Sequence, residues 1–179
     1  MLQITIPAGT LWDEGIEEFI STKEKTLQLE HSLVSLSKWE SKWHKPFLSD
    51  KEKTFEETID YIRCMTITQN VKPEVYLFLT KENVDQIYEY INDPMTATTF
   101  NDLDNTFNRE VITAEIIYYW MISLNIPIEF QKWHLNKLIT LIKVISLKNA
   151  PKKKISKQAY MEQMSRLNDA RRKEWNTKG

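Results

Sequence analysis

Apolar and polar residues alternate at Leu2, Ile4 and Ile6, which predicts a strand that ends at the turn-forming Pro7-Ala8-Gly9. Phe19-Ile20 and Leu27-Gln28-Leu29 supply two further short extended pieces on either side of Ser21-Thr22-Lys23. The first thirty residues therefore read as a small antiparallel hairpin or three-stranded sheet. Such a sheet needs helical cover, because an isolated hairpin is marginal in water. The period then changes. Leu33, Leu36, Trp39 and Trp43 recur at steps of three and four, so both indoles share one face of a helix that stops before Pro46. Thr54-Phe55-Glu56-Glu57 has capping-box spacing and opens a second helix with Phe55, Ile59 and Ile62 as its stripe. Pro73 starts a short segment, Val75 to Leu79, and Thr80 caps a helix striped by Val84, Ile87, Tyr88 and Ile91.

Asn92-Asp93-Pro94 ends that helix, and the polar stretch 94–108 reads as a loop. Ile116 to Ile122 is apolar all round, the pattern of a helix buried on most sides. After the break at Asn125-Ile126-Pro127 comes a helix with Leu135, Leu138, Ile139, Ile142 and Ile145 inward, which makes a central αα-hairpin with its predecessor. A membrane hairpin is rejected, since Lys137 and Lys143 interrupt the second helix. Ala150-Pro151 and three lysines form a linker to a helical segment, about Ser156 to Lys173, whose stripe is thin: Tyr160, Met164 and Leu167. The expected fold is mainly α. A domain spans 1–149, with a β element at 1–30 and a helical body at 31–149, and a basic helical extension covers 150–179.

Composition narrows the class. At 179 residues, with 41% hydrophobic and 27% charged, the chain can bury roughly 70% of its unfolded surface and needs no staple. Its single cysteine, Cys64, excludes an internal disulfide framework and fits a reducing compartment. Three glycines, at 9, 15 and 179, leave no Gly-rich phosphate cradle. The net charge of −1 conceals an asymmetry. Residues 150–179 hold nine Lys/Arg against three acids, or +6, which leaves 15 basic and 22 acidic residues in 1–149, or −7. A basic end on an acidic body either meets something anionic, rests on its own body, or is a solvated helix.

Catalytic chemistry finds little purchase. His31, His44 and His134 include no pair at the i, i+4 spacing of a helical metal site, and Cys64 is remote from all three in sequence. Cys64 reads as a small core residue, and His31 and His134 as packing residues at the edges of elements. The acid pair Glu56-Glu57 is accounted for by the helix cap, and Glu17-Glu18 by a polar hairpin. Trp39 and Trp43, flanked by Lys38, Lys42 and Lys45, could stack on single-stranded nucleic acid. Their continuation into Leu33 and Leu36 favours a core role instead.

Four blocks carry a resemblance: LEHSLVSLSKWESKWHKPF from Leu29 to Phe47, DYIRCMT from Asp60 to Thr66, PMTATTF from Pro94 to Phe100, and EIIYYWMISLNIP with QKWHLNKLITLI between Glu115 and Ile142. Together they resemble the tail assembly chaperones of long-tailed bacteriophages, over about Leu27 to Asn149. The end containing Ala170-Arg171-Arg172 also fits. The resemblance implies a non-enzymatic protein of the host cytoplasm, absent from the finished virion. It would bind the tape-measure protein and assist tail-tube polymerisation, with the major tail-tube protein as a second partner. No cofactor, metal, membrane or nucleic acid is expected, and a homo-oligomer is left open. Candidate partner-binding residues are Tyr160, Met164, Leu167, Arg171 and Arg172, together with the loop 94–108. A structural tail or connector subunit is the alternative function, followed by a nucleic-acid binder acting through the basic end.

Overall fold

Leu2–Ile6 (β1) pairs antiparallel with Lys25–Leu29 (β4), and Gly9–Asp13 (β2) pairs with Glu18–Thr22 (β3). The two ladders keep a single register, from Leu2 opposite Leu29 to Asp13 opposite Glu18, so together they form one long two-stranded ribbon. Pro7-Ala8-Gly9 is therefore not the turn its composition suggests. The chain runs through it, and the reversal comes between Asp13 and Glu18. Gly9 is needed there for space, because a Cβ at that position would lie 2.8 Å from the Phe78 ring.

A computed structural model describes residues 1–13, 15, 17–49, 51–100, 111–150 and 157–175. The fold is mainly helical with small N-terminal antiparallel hairpin elements, as the hydrophobic pattern predicts. Its α-helices are Leu33–Trp43 (α1), Phe55–Met65 (α2), Lys81–Asn92 (α3), Ala114–Ser123 (α4), Leu135–Asn149 (α5) and Lys157–Glu174 (α6). Among the described residues the 3-10 helices Pro73–Phe78 and Ile128–Lys132 join them. The chain forms two compact units, Met1–Leu147 and Lys148–Gly179.

Local chemistry starts the helices. Ser32 and Ser35 form a reciprocal cap on α1, Thr54 and Glu57 on α2, and Thr80 and Asn83 on α3. The inner half of the ribbon is covered on one face by the core, where Ile4, Ile6, Leu27, Leu29, Leu33 and Leu36 are almost fully buried. Its β4 edge is closed by the end of α2: Glu30 N–H donates to the Met65 carbonyl (2.9 Å) and Ile67 N–H to that of Gln28 (2.8 Å). On the other edge the Asn83 amide donates to the Thr5 carbonyl at 3.3 Å. The ribbon is thus the pedestal on which α1, α2 and α3 stand.

Several predicted stripes face differently. On α2 the buried face is Glu57, Tyr61, Ile62 and Met65, whereas Phe55 is 78% exposed at the first helical position. On α3 Ile87 and Tyr90 are buried and Tyr88 is exposed. α4 buries Ala114, Ile117 and Met121 but exposes Tyr119 and Ile122, so it is covered on one side only, mainly by α1. Leu135, Leu138 and Ile142 of α5 are buried as expected. Among the described residues no helix is long and apolar enough to cross a membrane.

Candidate functional site

The resembling blocks at 29–47 and 60–66 interlock. Trp39 and Trp43, one helical turn apart, stack with ring centroids 6.2 Å apart. Each indole N–H is taken by α2, that of Trp39 by the Glu57 carbonyl and that of Trp43 by Asp60 Oδ2, both at 2.9 Å. The two rings therefore seal α1 to α2, and their polar edges are satisfied there. Phe47 stacks on Tyr61 at 3.8 Å and meets Trp39 edge-on at 5.1 Å.

Buried carboxylates bind this unit together. Glu40 is 7% exposed, yet both of its oxygens are used: Oε1 accepts from Phe47 N–H (2.8 Å) and Oε2 from Ala114 N–H (2.7 Å). Asp60 accepts from Lys42 and Trp43, and Glu57 from Lys45 and the Thr54 amide. The Lys45 ammonium and the Thr54 N–H hold the Glu57 carboxyl below its usual range. Sequence reading missed Glu40 and Asp60. The only available signal was a charged residue within a run that the tryptophans mark as buried.

A second polar cluster lies behind it. Glu30 accepts from the Tyr90 hydroxyl (2.7 Å) and pairs with the Met1 ammonium (3.0 Å). His134 Nε2–H donates to the Tyr90 carbonyl at 3.0 Å, leaving Nδ1 buried without a partner. The His134 and His31 rings are 5.1 Å apart, and His31 Nδ1 is 2.6 Å from the Tyr61 hydroxyl. Burial, with the His134 ring beside it, pushes His31 down to about 3, and burial also lowers His134. Both imidazoles are neutral at pH 7. The same burial raises Tyr61 and Tyr90 above the usual phenol value. Cys64 is half-buried and its thiol is raised by burial, the opposite of an activated nucleophile. His44 stands apart, exposed at the end of α1 in the left-handed region (φ 52°). Among the described residues no three His, Cys, Asp or Glu side chains are placed to hold a metal ion.

Two open apolar grooves flank α2. One, of about 610 Å³, lies between α2 and α3 and is lined by Tyr61, Ile62, Val84, Ile87 and Tyr88, with Lys51, Glu52 and Lys53 beside Phe47. Lys53 Nζ sits 4.5 Å from the Phe47 ring centre. The other, of about 650 Å³, lies between α2 and Pro73–Phe78 and is lined by Ile20, Phe55, Ile59 and Leu77, with Glu56, Asp60 and Glu74 set against Lys42 and Arg63. Phe55 and Leu77 were absent from any predicted site: periodicity counts Phe55 in the stripe of α2, and Leu77 falls in the short segment after Pro73, to which no stripe is assigned. The ribbon adds Trp12 and Phe19, an edge-to-face pair at 4.9 Å that is 51% and 72% exposed.

The partner-binding candidates lie on α6, where Met164, Leu167, Arg171 and Arg172 are exposed. The Tyr160 side chain and residues 101–108 of the candidate loop lie outside the described residues. In the described part of that loop, Lys143 Nζ stands 4.3 Å from the Phe100 ring centre. No family model, no curated protein and no solved structure matches this chain.

Proposed function

We propose that this chain is a tail assembly chaperone of a long-tailed bacteriophage. In this reading it holds the tape-measure protein in solution while tail-tube subunits polymerise around it, and it catalyses nothing. The resemblance of the four sequence blocks is what supports the choice of family. The observation that carries the mode of action is the pair of open apolar grooves on either side of α2, with Phe55, Leu77 and Tyr88 at 78%, 54% and 70% exposure. Exposed apolar surface of this kind marks interaction sites. A long helical client offers stripes at i, i+3, i+4 and i+7 that such grooves accept, and many weak contacts hold it without trapping it. The α2–α3 groove has a mixed rim of Lys51, Glu52 and Lys53 that keeps it wetted, and Tyr160, Met164, Leu167, Arg171 and Arg172 on α6 provide a second contact surface.

The test is co-expression with the tape-measure protein of the same genome. The client should move to the soluble fraction and co-elute with this chain on gel filtration. Unchanged solubility with no complex would refute the reading. The reading also expects this chain to be missing from purified virions by mass spectrometry, whereas stoichiometric recovery would make it a structural subunit.

A further inference from the structure

The start of α5 is fastened to two other parts of the fold. Leu135 N–H donates to the His31 carbonyl (2.7 Å), and His134 forms an antiparallel bridge with Ser32. His134 Nε2–H donates to the Tyr90 carbonyl in the last turn of α3 (3.0 Å). The Asn136 side-chain amide donates to the Ile91 and Asp93 carbonyls at the same end (2.9 and 2.8 Å). The junction after β4 and the end of α3 are thus both held by residues 134–136. Beyond Leu135, the buried residues of α5 are Leu138 and Ile142.

Two imidazoles sit in this fastening, with His31 and His134 only 2% and 6% exposed and their rings 5.1 Å apart. A carbonyl only accepts, so His134 carries its hydrogen on Nε2, and Nδ1 presents a lone pair with no partner. A second proton has only Nδ1 to go to. There it makes a buried cationic N–H that lacks an acceptor and lies beside the His31 ring, an arrangement that burial penalises heavily. The charged and titratable groups around the pair are Glu30 after β4, Tyr61 of α2, Tyr90 and Asp93 of α3, and the Met1 ammonium. Glu30 is already engaged by the Met1 ammonium and the Tyr90 hydroxyl. The Tyr90 carbonyl, Glu30 and Asp93 favour charging of His134, but burial outweighs them and holds it below 6.5. The ring regains its ordinary basicity when it reaches water.

We propose that His134 and His31 form an acid-released latch on α5. Taking up a proton frees the head of α5 from the β4 junction and from α3, while the inner ribbon, α1 and α2 stay folded. Those parts are joined by the β1–β4 ladder and by the Trp39 and Trp43 bonds to α2, none of which uses a histidine. Release uncovers Leu135, Leu138 and Ile142. The latch requires no client, so it stands or falls apart from the chaperone reading.

Hydrogen exchange of the full-length protein, corrected for the intrinsic rate at each pH, tests this. Between about pH 7 and 5.5 the amides of residues 135–142 should lose about tenfold more protection than those of α1, α2 and the β1–β4 ladder. His134→Gln keeps a donor for the Tyr90 carbonyl without a titrating nitrogen, and His31→Asn keeps a nitrogen near the Tyr61 hydroxyl. The variant carrying both should keep α5 protected across that range. Protection of α5 that follows α1 at every pH overturns the proposal, as does acid release that survives in the double variant. Imidazole nitrogen NMR of the wild type decides without either variant. His134 should gain its Nδ1 proton over the same range in which α5 opens, and a His134 that charges while residues 135–142 stay protected overturns the latch.

Discussion

Replacing the buried Glu40 should damage the fold beside the tryptophans. Its carboxylate reaches across 74 residues to the first N–H of α4 and across seven to that of Phe47. Thr113, the residue before α4, makes no side-chain cap, so Glu40 is the cap of that helix. Glu40→Ala leaves two amides without acceptors at residues 0% and 9% exposed. Each such group costs about 1–3 kcal/mol, and losing a carboxylate from a helix N-terminus adds about 0.3–1 kcal/mol. Partial entry of water brings the expected loss to about 3–5 kcal/mol, a large share of the roughly 5–15 kcal/mol of a typical domain. Glu40→Gln keeps one acceptor and sets its amide against the second N–H, so it should lose about half as much. Urea unfolding followed by tryptophan fluorescence measures both, with an unchanged m-value expected. A loss below about 0.5 kcal/mol for Glu40→Ala would refute the assignment.

Further outcomes follow from the same contacts. His31 has an ordinary imidazole value of 6.5 that burial takes to about 3, so its neutral form favours the fold above pH 6.5 and that stability drains away as pH falls toward 3. Between pH 6.5 and 5 the loss should be about 2 kcal/mol in urea titrations, and a flat profile would contradict it. His44→Gly relieves a left-handed residue at the end of α1, and the melting curve should shift upward by about 0.5–1 kcal/mol; a destabilised variant would show that the His44 side chain contributes contacts. Thr54→Ala removes the α2 capping box and should cost about 1 kcal/mol by chemical denaturation, with no change implying that Glu57 alone holds that end.

How much of this was legible in the sequence depended on distance along the chain. The caps at Thr54 and Thr80 were readable because donor and acceptor are three residues apart. The shared face of Trp39 and Trp43 was readable because one helical turn joins them. Phe55 and Tyr88 were misassigned because periodicity gives a stripe about one turn wide and does not say which edge residue the neighbouring element leaves bare. The all-apolar run of α4 overstated its burial for a related reason: among the described elements α1 covers it most closely, and Tyr119 and Ile122 are left exposed. The continuation of the ribbon past Pro7-Ala8 was hidden by turn-forming residues that here only interrupt the pairing, the strands on either side keeping one register. Glu40 and Asp60 could not be assigned, since their partners are brought together only by the fold. Both grooves are likewise products of packing, each drawing its walls from segments far apart in sequence.

The central claim is that this protein works by offering surface to another macromolecule. Light scattering of the tape-measure protein, diluted from denaturant with and without an equimolar amount of this chain, tests it most directly. The account predicts that scattering is suppressed, and that suppression weakens when Tyr88 and Val84 in the α2–α3 groove are replaced by aspartate. Scattering that rises equally with and without the chain would contradict it.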